Sequence, residues 1–595
     1  MVNTFATMIA YDEHIKNLPD HLKEYIVDQE YEHYTPIDQA VWRYVMRKNL
    51  IHMTPLAHKA YESGLKKTGI RIDEIPTMYG MNRILKEIGW GAVAVDGFIP
   101  PNIFMEFQAH KVLVIAMDIR TLKHIEYTPA PDIIHESAGH APIIADNEYA
   151  QYLIKFGEIG SKAFSSATGF EQYEAIRYLS IIKEDTNTLP ELIEAAETKL
   201  LQINMTMQQN DLSEMALIRR LHWWTVEYGL IGSLEEPKIY GAGLLSSIGE
   251  GIHCLKPNVK KIPYSIEAKN YEFDITKPQP QLFVTPSFAY LTEVLEDFSN
   301  GMAYKTGGLS AIQKAINSDN LSTIVYNSGL QVSGIFSKVL VDENNKPIYI
   351  QTNSPTSLNY LNKQLEGHGV GHHKDGFGSP IGRLKKHNIS LEEMDITYLT
   401  SVGFQIEKRV VLEFESNIIV SGIIKSFRFN NRNELLLISF EDCNVAYEKN
   451  ILFKPEWGIY DMAVGARIVS AFPDAVDKAS HILKTTLSKE KTIKYKYTKK
   501  ELRLQKLYHI VREIREKEEH VDRLFEISSE LIFNYKNDWL LLLEILEFIT
   551  HQNIFNDLKK EITIFLKEKG RVNATVKSLI EDGIQLIEKG EITLI

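Results

Sequence analysis

Apolar residues recur at three- and four-residue spacing through the first 90 residues of the chain. This spacing predicts helices over Asp38–Arg47 and His58–Lys67, and a third helix around Gly80–Gly89. Thr35 and Pro36 precede the first of these and suit the N-cap and the first turn of a helix. Residues 18–90 are therefore expected to be mostly helical.

The pattern changes after residue 91. Ala92–Val95 and Lys111–Met117 are short and rich in Val, Ile and Ala, which predicts two strands. Further along, Leu189–Gln208 has the spacing of an amphipathic helix and follows a polar loop at Thr186–Thr188. We expect this part, roughly residues 165–212, to be a helical insertion at the surface.

The second half of the chain has two different patterns. Ile324–Asn353 and Arg409–Phe453 alternate apolar and polar residues between turn signals, which predicts a β-rich module, such as a small barrel, over residues 316–484. A lysine-rich linker follows, and helical spacing then continues to the end, so residues 485–595 are expected to hold a linker and a bundle of three to five helices. Residues 1–315 would form the first domain.

Composition narrows the class of protein. A chain of 595 residues is expected to form two to four domains. A net charge of −12 argues against nucleic-acid and anionic-membrane partners. The two cysteines, Cys254 and Cys443, are far apart, which fits a reducing compartment. With no signal peptide evident and no apolar run of membrane length, we expect a cytoplasmic soluble protein.

Candidate chemistry is concentrated in two short stretches. His135 and His140 stand five positions apart with Glu136 beside the first, and Glu227 lies in a second stretch downstream. Zinc proteases place their two histidines at i and i+4, whereas residues at i and i+5 of an α-helix lie about 140° apart. Such a pair can chelate a metal if the helix ends or bends near Gly139. Taken alone, the pair is more often two ordinary core or surface histidines.

The local sequences around these residues resemble a known family. Pro131-Asp132, the HESAGH run of His135–His140, the TVEYGL run of Thr225–Leu230 and Tyr240–Glu250 are similar, in order and spacing, to the pterin-dependent aromatic amino acid hydroxylases. The resemblance spans roughly residues 18–310 and is strongest to members that act on phenylalanine. It implies a mainly α catalytic domain with short strands, followed here by the β-rich module and the C-terminal α-helical bundle.

The resemblance also implies cofactors and site residues. Fe(II) would be held by His135, His140 and Glu227, a 2-His-1-carboxylate set that leaves coordination positions open. The second cofactor would be tetrahydrobiopterin or a related tetrahydropterin, contacted by Gly97, Ile99, Phe104 and Glu136. The amino acid substrate would be contacted by Arg120, Thr128, Pro131, Trp223, Ser246 and Glu250. Glu136 and Glu227 would be catalytic, and Asp132 could orient an iron-bound imidazole.

Two features depart from the family pattern. The 87 positions between His140 and Glu227 are more than usual, which is the reason for the insertion expected at about 165–212. His222 stands where the family usually has tyrosine, so that tyrosine's role is in doubt here. A fourth protein ligand would close an open iron site, and His222 is therefore not counted among the ligands.

The sequence leaves several functions open. The first is a monooxygenase that uses O2 to hydroxylate the ring of a free aromatic amino acid, most simply L-phenylalanine to L-tyrosine, with tryptophan or tyrosine as alternatives. The second is a zinc-dependent hydrolase using His135, His140 and Glu136. The third is a partner-binding protein acting through residues 316–595, whose C-terminal helices could also self-associate. The loop Glu366–Pro380 contains three histidines, and we interpret it as a flexible surface loop rather than a second metal site, since no cysteine accompanies them.

Overall fold

The computed structural model describes residues 13–96, 99–126, 132–184, 188–208, 212–274, 278–481, 497–571 and 574–590. Helices dominate the first half and the last hundred residues, and strands dominate the part between them. In the described part of the chain, every helix is too short or too polar to traverse a bilayer.

The first half of the chain is mainly helical. The longest early one, Pro36–Met53, begins at a capping box in which Thr35 and Asp38 each bond the other's backbone N–H. We call it the central helix. The other α-helices described up to residue 318 are Glu13–Lys16, Asp20–Lys23, Ala60–Lys67, Met78–Leu85, Pro101–Ala109, Ala141–Ile144, Asn147–Gly160, Ala167–Glu184, Pro190–Gln208, Glu214–His222, Ala242–Ser246, Ile248–His253, Phe288–Asn300, Ala303–Thr306 and Gly308–Ser318.

Two small sheets accompany these helices. Gly91–Val95 and Val112–Ala116 pair in parallel, with Val93 opposite Val114. The second sheet has the strand order Pro237–Ile239, Leu230–Gly232, Gln281–Thr285, Lys260–Pro263. The helices and strands predicted for residues 18–127 are thus confirmed, with boundaries displaced by a few residues.

The expected insertion consists of two helices. Ala167–Glu184 and Pro190–Gln208 lie antiparallel, since Lys183 pairs with Glu197 at 2.8 Å while Gln172, nearer the start of its helix, bonds Asn204 at 2.7 Å. Their contact includes a small apolar cluster of Leu179, Ile182 and Ala196. Leu189 and Leu201 remain exposed. The helix predicted over Leu189–Gln208 is confirmed as Pro190–Gln208.

The β-rich part is confirmed, but the described strands form three sheets rather than one barrel. The first has the order Lys363–Gln364, Ser357–Tyr360, Leu330–Gly334, Ser322–Tyr326, Ile468–Pro473, and the second has the order Gly378–Pro380, Pro347–Thr352, Phe336–Val341. The third has the order Arg409–Glu413, Ile418–Phe429, Leu435–Tyr447, Asn450–Phe453, with Tyr460–Ala463 also paired to Leu435–Tyr447. Every described pairing among these strands is antiparallel.

Five helices close the described chain: Lys499–Lys517, Arg523–Asn534, Leu540–His551, Asn556–Gly570 and Ala574–Glu588. We call them the rear bundle. Their apolar side chains, such as Leu541, Ile545 and Ile562, belong to the same hydrophobic core as Trp42 and Val45 of the central helix. The Tyr44 hydroxyl donates to the carbonyl of Leu579 at 2.7 Å. The bundle is therefore packed directly on the half of the chain that holds the candidate site.

Candidate metal centre

Two histidines meet because the helix that carries them widens. His135–His140 is a π-helical turn, in which the N–H of Ala141 bonds the carbonyl of Glu136 five residues earlier. Such a turn contains one residue more than an α-helical turn and brings side chains five positions apart to the same face. The two Nε2 atoms are 3.2 Å apart. The helix therefore widens over His135–His140 and continues as Ala141–Ile144 rather than ending at Gly139.

Glu227 completes the group from a second π-helical turn, Trp223–Glu227. Its Oε2 lies 3.3 Å from Nε2 of His135, and its Oε1 lies 3.3 Å from Nε2 of His140. Donor atoms at these separations can all lie about 2.2 Å from one point and subtend nearly right angles there. Two imidazoles and one carboxylate on one face of an octahedron are the ligand set of non-haem Fe(II) oxygenases, and the residues present fit that metal.

Ser246 determines how His135 presents its ring. The Ser246 hydroxyl donates to the carbonyl of Ala242 at 2.8 Å and lies 3.0 Å from Nδ1 of His135. Because its proton is already used, the hydroxyl oxygen accepts the Nδ1–H of the ring. The lone pair of Nε2 then points at the metal position, which is the usual role of an outer partner of a histidine ligand.

Glycines allow the two turns and the Ser246 helix to approach. A Cβ on Gly139 would lie 2.6 Å from the carbonyl oxygen of Ala242, and one on Gly241 would lie 2.5 Å from that of Glu227. Both distances are shorter than any normal carbon–oxygen contact. The positions of Ser246 and Glu227 therefore depend on the absence of a Cβ atom at Gly139 and Gly241.

Arg120 and Asp132 form a buried ion pair beside the histidines. The guanidinium donates from Nε at 2.7 Å and from Nη2 at 2.8 Å to the two carboxylate oxygens, and from Nη1 at 3.3 Å to the carbonyl of Ser246. Burial would raise the pKa of Asp132, but the charge and hydrogen bonds of Arg120 outweigh it and lower the pKa. The Asp132 carboxylate also accepts the backbone N–H of His135 at 2.9 Å. Contrary to expectation, it holds the backbone of His135, and Ser246 contacts the ring.

Two further titratable side chains face the ligands. Glu136 is buried, its Oε2 lies 3.9 Å from Nε2 of His140 and lacks a hydrogen-bond partner among the described residues, and burial raises the pKa of its carboxyl to about 8. His222 has its Nδ1 3.8 Å from Oε1 of Glu227, and burial lowers its pKa to about 4. The edge-on ring of Phe104 is 5.9 Å from that of His222.

The remaining predicted site residues make other contacts or lie beyond the description. Trp223 is stacked between Phe273 at 4.4 Å and Tyr228 at 4.5 Å. Ile99 packs with Phe104 on the apolar cluster of the parallel strands, and Glu250 is buried in the first turn of Ile248–His253, where burial raises its pKa. Three positions lie outside the described residues: Gly97, Thr128 and Pro131.

One supporting residue was not foreseen. The Thr225 hydroxyl lies 2.7 Å from the carbonyl of Leu221, to which it donates, and 2.8 Å from the Tyr152 hydroxyl. These bonds anchor the π-helical turn that presents Glu227. A threonine two residues before a candidate ligand was the available sequence signal, although threonine within helices is common.

Comparison with known proteins places this site in a recognised sequence context. The family described as "Biopterin-dependent aromatic amino acid hydroxylase" matches residues 9–179 and 201–307. The break falls within the two insertion helices, and residues 308–595 are outside the match.

Individual relatives agree with the family match. A phenylalanine-4-hydroxylase of Chromobacterium violaceum is 25% identical over 273 residues, which are 45% of this chain and 76% of that protein. One of Pseudomonas aeruginosa is 25% identical over 272 residues, 45% of this chain and 86% of that protein. A crystal structure of the Chromobacterium enzyme with bound iron(III) and 7,8-dihydrobiopterin covers 48% of this chain and 92% of its own, at 23% identity and a TM-score of 0.37.

Proposed function

Since the first half of this chain belongs to the biopterin-dependent aromatic amino acid hydroxylases, we propose that it is a monooxygenase converting L-phenylalanine to L-tyrosine with O2, Fe(II) and a tetrahydropterin. The observation that carries the proposal is the convergence of His135, His140 and Glu227 within the matched region, with donor separations of 3.2–3.3 Å.

The chain's own residues prepare this centre. His135, His140 and Glu227 would hold the iron on one face, and Ser246 keeps the Nε2 lone pair of His135 turned toward it. When bound, Fe(II) and the reduced pterin supply the electrons and the oxygen activation that protein side chains lack. The protein contributes orientation and the exclusion of water around a buried group of polar side chains.

Substrate and pterin contacts are proposed for residues around the centre. Among the described residues, Arg120 donates three of its five N–H groups to the protein, and we propose that the other two bind a substrate carboxylate. For the pterin we propose Phe104, whose ring lies 5.9 Å from that of His222, and the buried carboxyl of Glu136. The other contact residues predicted from the sequence remain part of the proposal. They are Gly97 and Ile99 for the pterin, and Thr128, Pro131, Trp223, Ser246 and Glu250 for the amino acid.

Iron content and product identity test the proposal together. The full chain would be loaded anaerobically with Fe(II) and supplied with a tetrahydropterin, O2 and, separately, phenylalanine, tryptophan or tyrosine. We expect about one iron per chain and tyrosine formed from phenylalanine with matching O2 consumption. If the enzyme prefers tryptophan or tyrosine, the proposed substrate is wrong and the proposed reaction class still holds.

Matched variants connect the activity to the centre. Glu227→Gln should lose iron and activity together, since the metal loses its anionic ligand. Glu235→Gln, at an exposed glutamate eight positions later, should retain both. Zinc-dependent hydrolysis without O2 consumption would instead favour the hydrolase alternative and contradict the proposal.

For the second half we propose structural roles within the same protein. We keep the domain boundaries predicted from the sequence, which are 1–315, 316–484 and 485–595. The rear bundle would stabilise the hydroxylase half by packing on the central helix. Self-association through the bundle would use exposed apolar groups such as Phe533, which is 76% exposed. Light scattering of the wild-type chain and of Phe533→Ser tests this: a dimer that the variant lacks supports it, and monomers in both contradict it.

A further inference from the structure

Four potential metal ligands converge far from the centre described above, within the β-rich part. They are His368, His372 and His373 of the loop at residues 366–380, which we call the histidine loop, and Asp461 of the strand Tyr460–Ala463. Oδ2 of Asp461 lies 3.5 Å from Nδ1 of His368, 2.8 Å from Nε2 of His372 and 3.7 Å from Nε2 of His373. One carboxylate oxygen thus faces three imidazole nitrogens.

The backbone of the histidine loop is folded so that the three rings meet. The N–H groups of His372 and His373 both point to the carbonyl of Gly369, at 2.9 and 3.2 Å, which forms a compact turn. Gly367, with φ at +84°, adopts a left-handed conformation that suits glycine at the entrance. The loop therefore forms a turn with its own backbone hydrogen bonds, and it lies at the surface as expected, with His372 exposed.

Hydrogen bonds attach this turn to the sheet beside it. Leu358 donates its N–H to the carbonyl of His368 at 2.9 Å, and Thr356 donates to that of His373 at 3.1 Å. Asp461 is held from its other side, because its Oδ1 accepts the Ser439 hydroxyl at 2.5 Å. Such an outer partner orients a carboxylate ligand and leaves the second oxygen for a metal.

Two of the imidazole nitrogens are buried without a partner. Nδ1 of His368 and Nε2 of His373 have no hydrogen bond within the described structure, and their distances to Asp461 exceed a good hydrogen bond. The side chain of His373 is only 9% exposed. Leaving such an atom unsatisfied is costly, and both point toward the same oxygen. A cation among the four atoms would satisfy them together.

We propose that His368, His372, His373 and Asp461 bind a divalent transition-metal ion, with zinc preferred. In a tetrahedral zinc site with bonds of about 2.05 Å, neighbouring ligand atoms are about 3.3 Å apart. The three separations from Asp461, 3.5, 2.8 and 3.7 Å, have a mean of 3.3 Å. Four protein ligands fill a tetrahedron, so the ion would be structural and would fix the histidine loop to the strand of Asp461.

The proposal is independent of the hydroxylase function, because none of the four residues lies in the region matched to the family. Its fourth ligand also explains why the sequence alone gave no zinc motif. Asp461 stands 88 positions after His373. Only the pairing of Tyr460–Ala463 with Leu435–Tyr447, which places Asp461 opposite Ser439, brings it near.

Zinc titration of the full chain tests the proposal. To silence the first centre, all proteins carry His135→Gln and Glu227→Gln, are stripped with a chelator and are then titrated with Zn²⁺. We expect one zinc per chain in this background and none after adding Asp461→Asn. Adding His387→Gln, at a histidine of the same module whose ring packs on Phe404, should leave one zinc bound.

Absence of zinc from the background protein would overturn the proposal, as would equal zinc binding with and without Asp461→Asn. If Asp461→Asn does not fold, His372→Gln replaces it, since that side chain is 42% exposed and contributes little packing. It should weaken zinc binding by more than about 10-fold, the lower end of the loss caused by removing even an outer partner. Cobalt(II) in the background protein should give the visible spectrum of a tetrahedral ion, and an octahedral spectrum would contradict the assigned geometry.

Discussion

A buried carboxylate, that of Glu547, adds an ion pair to the apolar contact between the rear bundle and the central helix. Glu547 accepts from Nη1 and Nη2 of Arg43 at 2.6 and 2.7 Å and also pairs with Arg47. The side chain of Glu547 is 8% exposed and those of the two arginines are 10% and 6% exposed. Replacing Glu547 by Gln would leave Arg47 beside a neutral partner. Arg43 would keep Asp73 at 3.0 Å and Glu544 at 3.6 Å.

The size of the effect can be worked out in two ways. Burial tends to raise the pKa of Glu547, but the hydrogen bond and the charges of Arg43 and Arg47 lower it to about 2 from the usual 4.5. That difference corresponds to about 3 kcal/mol in favour of the charged form. Removing one partner of a buried ion pair typically costs about 3–5 kcal/mol. We therefore expect Glu547→Gln to destabilise the protein by about 3 kcal/mol.

A matched ion pair in the same bundle provides the control. Arg503 donates from Nε at 2.9 Å and from Nη2 at 2.6 Å to Glu530, which is also a two-pronged contact, but Arg503 is 47% exposed. Exposed pairs contribute less than about 1 kcal/mol, so Glu530→Gln should have a small effect. Urea unfolding of both variants, followed by circular dichroism, measures the difference. Equal destabilisation by the two substitutions would refute the reasoning.

Three further predictions concern two residues of the metal centre and the ion pairs of Glu106 with His21 and Lys478. Ser246→Ala should weaken Fe(II) binding by about 10–100-fold, measured by competition with a chelator, because the Nδ1–H of His135 loses its acceptor; unchanged affinity would contradict this. Gly139→Ala should lower the iron content at unchanged expression, because its Cβ would lie 2.6 Å from the carbonyl of Ala242; full loading would show that the helices can separate. Burial tends to raise the pKa of Glu106, but His21 and Lys478 lower it to about 2. The charged carboxylate therefore stabilises the folded protein fully above pH 4.5, and this contribution is lost as the pH falls toward 2. Glu106→Gln should flatten the decline in the free energy of unfolding in urea between pH 5 and pH 3, and parallel curves for the variant and the wild type would exclude the effect.

Elements with regular periodicity were predictable from the sequence. The central helix, the two parallel strands and the helices of the rear bundle each follow from spacing and from local signals such as Thr35 before Pro36. Their partners were not predictable in the same way. Nothing local in Glu547 shows that it meets Arg43, because the ion pair joins residues 504 positions apart.

The candidate ligands were predictable from the sequence, but the backbone and side-chain contacts that position them were less so. His135, His140 and Glu227 could be identified from three short motifs, but the π-helical turn that aligns the histidines is a backbone distortion stabilised by packing. The same holds for Ser246, whose hydroxyl reaches His135 only because Gly139 permits close approach. Asp461 was missed for a similar reason, since only the pairing of two strands brings it to the three histidines already noted in the sequence.

The packing of the rear bundle on the central helix has a consequence for biosynthesis. Arg43 is added to the growing chain 504 residues before Glu547. At translation rates of about 5–20 residues per second, the central helix would wait about 25–100 s for the surface that covers it. Throughout that interval a nascent chain presents Arg47 without Glu547 and an uncovered apolar face, which is the kind of segment that chaperones bind.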